Sequence, residues 1–232
     1  MPPVKCEPQN TMMSSFTVPS LTEFLYVESN RSTDKRDRFD LAQFQTLIGN
    51  GTIKTIAAMI SYVKNRLVMS GYGSSRAVFI MSQRYALKLA RNEIGIVQNK
   101  AEVEYLTEHS TNEAISKHII KVYASDENGW WVVTDLVRPI KDNKEFEQLT
   151  GLAEGELRFW CDKLSNADYG GDFDEHEFHI AAKQAPFLYV IASLQDAGAA
   201  DLRSYKQYGK TTDGRVVLLD AGANEDILDE YY

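Results

Sequence analysis

Cysteine is scarce in this sequence, with Cys6 and Cys161 the only two among 232 residues. Secreted proteins that are held together by disulfides carry many more cysteines at regular spacings, so that class is excluded. A chain with so few cysteines is suited to a reducing compartment. We therefore expect a cytoplasmic protein.

Long apolar runs and a basic excess are also missing. The longest nearly apolar segment, Pro186 to Leu194, is far shorter than the roughly 20 residues that a membrane-spanning helix needs. The 25 Lys and Arg residues are outnumbered by 33 Asp and Glu residues, which gives a net charge of −8. Nucleic-acid binding requires a basic face, so neither a nucleic acid nor a membrane is an expected partner.

The composition that remains is that of an ordinary globular protein, with 44% hydrophobic and 25% charged residues. Residues 1–38 are rich in proline and serine and are predicted to be a disordered or loosely ordered tail. Residues 39–68 have apolar side chains at helical spacing and predict two helices, which either cover the following sheet or form a separate interaction surface. Strand patterns dominate residues 69–138, and helical patterns dominate residues 139–232.

A glycine-containing turn opens the strand-rich region. Gly71 and Gly73 are followed by Ser74 and Ser75, and then by an apolar strand. Glycine allows backbone N–H groups to approach phosphate oxygens closely, so this turn is a candidate phosphate-binding loop. Two glycines alone are weak support, because a simple hairpin turn uses the same residues.

A lysine within an apolar strand follows this turn. Lys88 lies in the predicted strand over residues 85–89, where a fixed ammonium can neutralise phosphate charge. After a loop, the next helix is predicted over residues 98–109. Glu102 and Glu104 lie in its first turns, and either carboxylate could pair with Lys88.

Two further patterns complete the series. Residues 119–123 and 130–136 are apolar runs around an Asn-Gly turn, which predicts a hairpin. Later, an Asp-Gly turn at residue 213 leads into a strand that ends in Asp220-Ala221-Gly222. A carboxylate at a buried strand end is well placed to bind Mg²⁺, so Asp220 is the candidate metal ligand.

In this order the motifs resemble those of the protein-kinase family. Gly71, Gly73 and Val78 match its G-x-G-x-x-G-x-V loop, and Lys88 matches the lysine of its V-A-I-K motif. The D-F-G motif corresponds to Asp220-Ala221-Gly222, with alanine in place of phenylalanine. In style, residues 66–224 look like the small kinase-like proteins of bacteriophages, which would place the protein in the host cytoplasm.

This resemblance implies an α+β, minimal two-lobed protein-kinase-like fold. Its antiparallel N-lobe sheet would span residues 69–138, its shortened helical C-lobe residues 139–232, and residues 39–68 would form an N-terminal helical extension. The implied cofactors are ATP and Mg²⁺, with Asp220 on the metal, and the implied catalytic residues are Lys88 and Asp201. Residues 134–137 would form the hinge that binds adenine. The implied cofactor-binding residues are Gly71, Gly73, Ser74, Ser75, Lys88, Glu102 (favoured over Glu104), Asp135 and Val137.

Several positions depart from the family pattern. Arg76 replaces the third glycine of the loop, and Lys206 replaces the metal-binding asparagine, where a cation repels a metal. Asp201 matches the catalytic aspartate, but Ala199 and Ala200 replace the preceding histidine and arginine, and Asp201 could equally be a helix cap.

Two functions therefore stay open. The chain is either a phage-type, ATP-binding phosphotransferase or an inactive pseudokinase that acts as a scaffold for a protein partner. The phosphotransferase would transfer the γ-phosphoryl group to the hydroxyl of a protein or of a small molecule.

Overall fold

The computed structural model describes residues 39–165, 184–199 and 202–221, and these form a mixed α+β fold. One part is a five-stranded sheet covered by helices, and the other is mainly helical with a small three-stranded sheet. Within the described ranges, no helix is both long and apolar enough to span a bilayer.

The larger sheet is antiparallel throughout and has the strand order β1-β2-β3-β5-β4. Its strands are the ones predicted from the apolar runs, with their ends shifted by no more than three residues. The bounds are β1 Val68–Tyr72, β2 Arg76–Ile80, β3 Tyr85–Ala90, β4 Val122–Ser125 and β5 Trp131–Asp135.

Two N-terminal helices cover one face of this sheet. They are α1 (Leu41–Gly49) and α2 (Ile56–Lys64), and side chains of both belong to the same buried cluster as Leu87 and Leu89 of β3. The ring of Phe44 lies 6.1 Å from that of Trp131 on β5. Residues 39–68 therefore cover the sheet, which is one of the two roles that the sequence leaves open for them.

The opposite face of the sheet carries Lys88, because successive side chains of a strand point to opposite faces. This face packs against α3 (Glu93–Glu108), which begins five residues earlier than the sequence predicts. The expected loop before it is the first turn of the helix, and the Asn92 side chain caps this turn by accepting the N–H of Gly95 at 3.0 Å.

The C-terminal part has a separate hydrophobic core. Its elements are α4 (Asn143–Thr150), α5 (Glu154–Ser165), α6 (Ala185–Asp196) and the strands β6 (Arg138–Pro139), β7 (Tyr208–Lys210) and β8 (Val216–Leu218). At its centre, the ring of Phe146 lies 5.6 Å from that of Phe187 and 5.5 Å from that of Tyr208.

The two parts meet before β4 and at β8. The carbonyl of His118 accepts the N–H of Leu218 at 2.8 Å, and Ile119 forms a parallel bridge with Leu218. A sheet-based part and a helical part, each with its own buried cluster, are thus joined by these backbone contacts. The α+β class and the division into a part with an antiparallel sheet and a mainly helical part are as the sequence predicts.

Candidate functional site

A cavity of about 550 Å³ lies between the two parts and collects most of the predicted site residues. The glycine turn, β3 and the end of β5 line one side, and Lys206, Gln207, Leu219 and Asp220 line the other. The predicted site residues that line it are Gly71, Gly73, Ser74, Ser75, Lys88, Asp135, Val137 and Asp220.

A larger cavity, of about 680 Å³, lies behind α3 between α1 and β4. The described residues that line it are mostly apolar, and Lys121 is the one charged residue among them. None of the predicted site residues that the structure describes lines it. The smaller cavity, with its charged groups, is therefore the candidate functional site.

The central interaction of the site is an ion pair between β3 and α3. Nζ of Lys88 binds Oε1 of Glu102, and it also donates a hydrogen bond to the carbonyl of Leu219 at 2.8 Å. Lys88 is 8% exposed and Glu102 is 0% exposed, whereas Glu104 on the same helix is exposed. Glu102, not Glu104, is thus the partner of Lys88, and the pair holds the ammonium at the cavity wall.

Arg76 is a third charged residue of the site, and its position there was not predicted from the sequence. Its guanidinium binds Glu102 through one terminal nitrogen and Asp220 through the other, and the residue is only 8% exposed. A signal for it exists, because β2 pairs Val78 with Lys88 and strand alternation puts Arg76 on the same face as Val78.

The charge of Arg76 is well supported by its neighbours. Burial on its own acts to lower the pKa of the guanidinium, but the carboxylates of Asp220 and Glu102 outweigh burial and raise that pKa above its usual value. Arg76 is therefore a permanent cation between two carboxylates. Glu102 in turn lies between two cations, Arg76 and Lys88.

The glycine turn is fastened to the beginning of α3. The carbonyl of Ser75 accepts the N–H of Arg91 at 2.7 Å, and its hydroxyl donates to Oε1 of Gln98 at 2.6 Å. The guanidinium of Arg91 also binds the carbonyl of Gly73. A Cβ atom at Gly95 would overlap the carbonyl oxygen of Ser75, so this close contact requires glycine. The turn is consequently held in place before any ligand arrives.

The predicted hinge is held by the side chain of Asp135. This carboxylate accepts the N–H of Lys121 at 2.9 Å and the hydroxyl of Tyr123 at 2.7 Å. Burial, and then the contact with Asp135, raise the pKa of Tyr123 above its usual value, so its hydroxyl stays a donor. The N–H of Asp135 also donates to the carbonyl of Lys121 at 3.2 Å, so both its side chain and its N–H fix the hinge strand against the segment before β4.

Val137 follows the hinge strand and lines the cavity. Within the part of the chain that the structure describes, its N–H and carbonyl join no backbone hydrogen bond. Such backbone groups at a cavity wall can pair with the edge of a nucleobase.

The predicted metal site has an unexpected partner. Asp220 lines the cavity with its side chain 37% exposed, but one carboxylate oxygen already pairs with Arg76. Across the described residues, no three His, Cys, Asp or Glu side chains come close enough to hold a metal ion together. Lys206, an exposed cation, lines the same side of the cavity. Of the described residues, a carboxylate paired with Arg76 and a lysine opposite it do not fit a divalent cation.

One predicted residue, Glu102, stands behind Lys88 and not at the cavity surface. Asp201 and the Gly222 of the Asp-Ala-Gly motif fall outside the described residues. The catalytic role of Asp201 therefore stays a prediction from sequence.

Comparison with known proteins adds little to this geometry. No family model and no curated protein matches the chain. Among solved structures, the chain is similar to one described as the streptomycin–ATP–APH(2″)-IIa ternary complex, with 17% identity and a TM-score of 0.33. The match covers 66% of this chain and 48% of the other, so this chain spans about half its length. A likeness this slight carries no argument about the fold or function of this chain.

Proposed function

We propose that this chain binds ATP in the cavity between its two parts. The observation that carries the proposal is the buried Lys88–Glu102 pair, set at the wall of a cavity whose rim is the glycine turn. A fixed ammonium beside closely approaching backbone N–H groups suits the phosphates of a nucleotide. Cytoplasmic ATP would be its nucleotide.

The adenine end of the ligand is proposed to lie against the hinge. Val78, Ala86 and Leu219 line this end of the cavity and would enclose the base between apolar surfaces. The backbone of Asp135 and Val137 would pair with the edge of the base, as the kinase resemblance implies. Gly71, Gly73, Ser74 and Ser75 would then cover the phosphates.

The proposed activity is transfer of the γ-phosphoryl group to a hydroxyl of a protein or of a small molecule, in a phage-type enzyme. Lys88 would hold the phosphates and, together with Arg76, neutralise their charge, while Asp201 would orient the acceptor hydroxyl. Catalysis of this kind depends on positioning and charge neutralisation, not on a covalent intermediate.

A second function, that of a pseudokinase scaffold, is favoured by one observation. The two positions that hold metal in the kinase family are a carboxylate already paired with Arg76 and the cation Lys206. A chain of this kind would bind nucleotide without transferring phosphate, and would act by holding a protein partner.

The decisive experiment follows labelled γ-phosphate from ATP into the chain itself or into proteins of a cell extract. The phosphotransferase proposal predicts incorporation by the native chain, its loss in Lys88→Ala, and no change in Lys144→Ala, an exposed lysine of α4 outside the cavity. Bound ATP without incorporation by the native chain would favour the scaffold. Equal incorporation by Lys88→Ala and the native chain would contradict the site assignment.

A further inference from the structure

The position of Arg76 bears on which form of the nucleotide the site accepts. In the kinase-like loop this position belongs to a glycine, whose value is that it has no side chain. Here it holds an arginine that is among the residues lining the cavity, and the guanidinium bridges Glu102 on one side and Asp220 on the other. The substitution puts a fixed positive charge beside the carboxylate that would otherwise attract a metal ion.

Among the described residues, three cations line the cavity, Arg76, Lys88 and Lys206, together with two carboxylates, Asp135 and Asp220. A third carboxylate, Glu102, lies behind the wall and pairs with both Arg76 and Lys88. Asp135 is turned to the Lys121 N–H and the Tyr123 hydroxyl, and Asp220 is paired with Arg76. A divalent cation entering here would meet like charge from Arg76 and Lys206, whereas phosphate oxygens would meet opposite charge.

The chemistry of arginine also suits the task. A guanidinium carries five N–H donors in a rigid fork, and the two carboxylates do not use all five. A guanidinium also binds phosphate oxygens with defined geometry. A magnesium ion at a phosphate site does a comparable job, because it neutralises oxygens and fixes their positions.

We infer that Arg76 takes the place of a divalent cation, so that this site binds nucleoside triphosphate without Mg²⁺. The inference rests on the proposed ATP site and deepens it, because it names metal-free ATP as the ligand. Asp220 then serves to orient the guanidinium and does not coordinate a metal. Lys206 would meet the phosphates from the opposite wall.

The test is isothermal titration of ATP into the native chain, once with excess EDTA and once with excess Mg²⁺ at equal ionic strength. The inference predicts dissociation constants that agree within about threefold, because the guanidinium already neutralises the phosphates. An affinity that is about tenfold or more higher with Mg²⁺ would overturn it and leave the ATP proposal intact. Absence of binding under both conditions would overturn the ATP proposal and the inference with it.

Variants of Arg76 sharpen the test. Arg76→Gln should weaken metal-free binding by about tenfold or more, and Mg²⁺ should restore part of the loss, whereas Arg76→Lys should keep most of the metal-free affinity. Arg215→Gln is the matched control, since Arg215 is exposed, pairs with Asp213 and does not line the cavity. Unchanged metal-free binding in a folded Arg76→Gln chain would overturn the inference. The native-chain titration decides the question even if that variant does not fold.

Discussion

The two walls of the cavity differ in how deeply their charged side chains are buried. On the wall built from β2, β3 and α3, Arg76, Lys88 and Glu102 are all buried and bound to one another. On the facing wall, Lys206 is exposed and the side chain of Asp220 is 37% exposed. A buried charge depends on its partners, so the first wall combines ligand binding with stability. On the facing wall, Asp220 shares in this because it pairs with Arg76, whereas Lys206 can change with little effect on the fold.

The largest effect is expected from Glu102, which is the partner of two cations. Glu102→Gln leaves Lys88 buried without a carboxylate, and removal of one partner from a buried pair typically costs about 3–5 kcal/mol of unfolding free energy. Urea unfolding of the purified variant measures this directly.

Glu104→Gln is the matched control, because it makes the same change two residues away on the exposed side of α3. It should alter the unfolding free energy by no more than about 0.5 kcal/mol. Similar losses in both variants would mean that the buried pair has no special role in stability.

A smaller loss is expected where the glycine turn meets α3. Gly95→Ala places a methyl group against the carbonyl of Ser75, and such overpacking costs about 1–3 kcal/mol. Gly155→Ala in α5 has open space around the added methyl and should be stabilising, by up to about 1 kcal/mol. Chemical denaturation of both variants would show opposite signs. Stabilisation by Gly95→Ala would contradict the close contact between turn and helix.

His118 joins the two parts and should make stability depend on pH. Burial, partly opposed by the hydrogen bond to the Val216 carbonyl, lowers the pKa of His118 below 6.5. The unfolded chain then binds the proton more readily than the folded chain does. This contribution to stability is fully present above about pH 6.5 and is lost as the pH falls below it.

Urea unfolding at pH 7.5 and pH 5.5 tests this sign. The fall in stability between the two should be smaller in His118→Gln than in the native chain, and unchanged in His109→Gln, a histidine of the short helix after α3. An undiminished fall in His118→Gln would show that another group is responsible.

The smallest change in stability is expected on the exposed wall. Lys206→Ala removes a solvated charge, so the unfolding free energy should stay within about 0.5 kcal/mol of the native value. ATP affinity should nevertheless fall, because Lys206 lines the cavity. A loss of stability comparable to that of Glu102→Gln would erase the difference between the two walls.

Much of the first wall could be predicted from sequence. Lys88 stands out because a lysine inside an apolar strand needs a reason, and the strands around it follow from their apolar runs. The residues alone left Glu102 and Glu104 both open, and only the kinase resemblance favoured Glu102, because the exact start and rotation of α3 decide which side chain faces β3.

Two features escaped prediction for physical reasons. Glycine is typical of loops, so Gly95 suggests one, yet it lies inside α3. At this helical position only glycine permits the close approach of Ser75. Arg76 reads as a missing glycine, and its ion pair with Asp220 joins residues far apart in sequence. Local pattern contains no information about such a contact, although strand alternation does put Arg76 on the face of Lys88.

The most direct test of ATP binding at Lys88 is the thermal unfolding midpoint with and without saturating ATP, for the native chain and for Lys88→Ala. ATP at about a hundred times its dissociation constant should stabilise the native chain by roughly 2.7 kcal/mol, which raises the midpoint by roughly 5–10 °C. Lys88→Ala should show little or no rise. An unchanged midpoint in the native chain, or an equal rise in both, would contradict an ATP site built on Lys88.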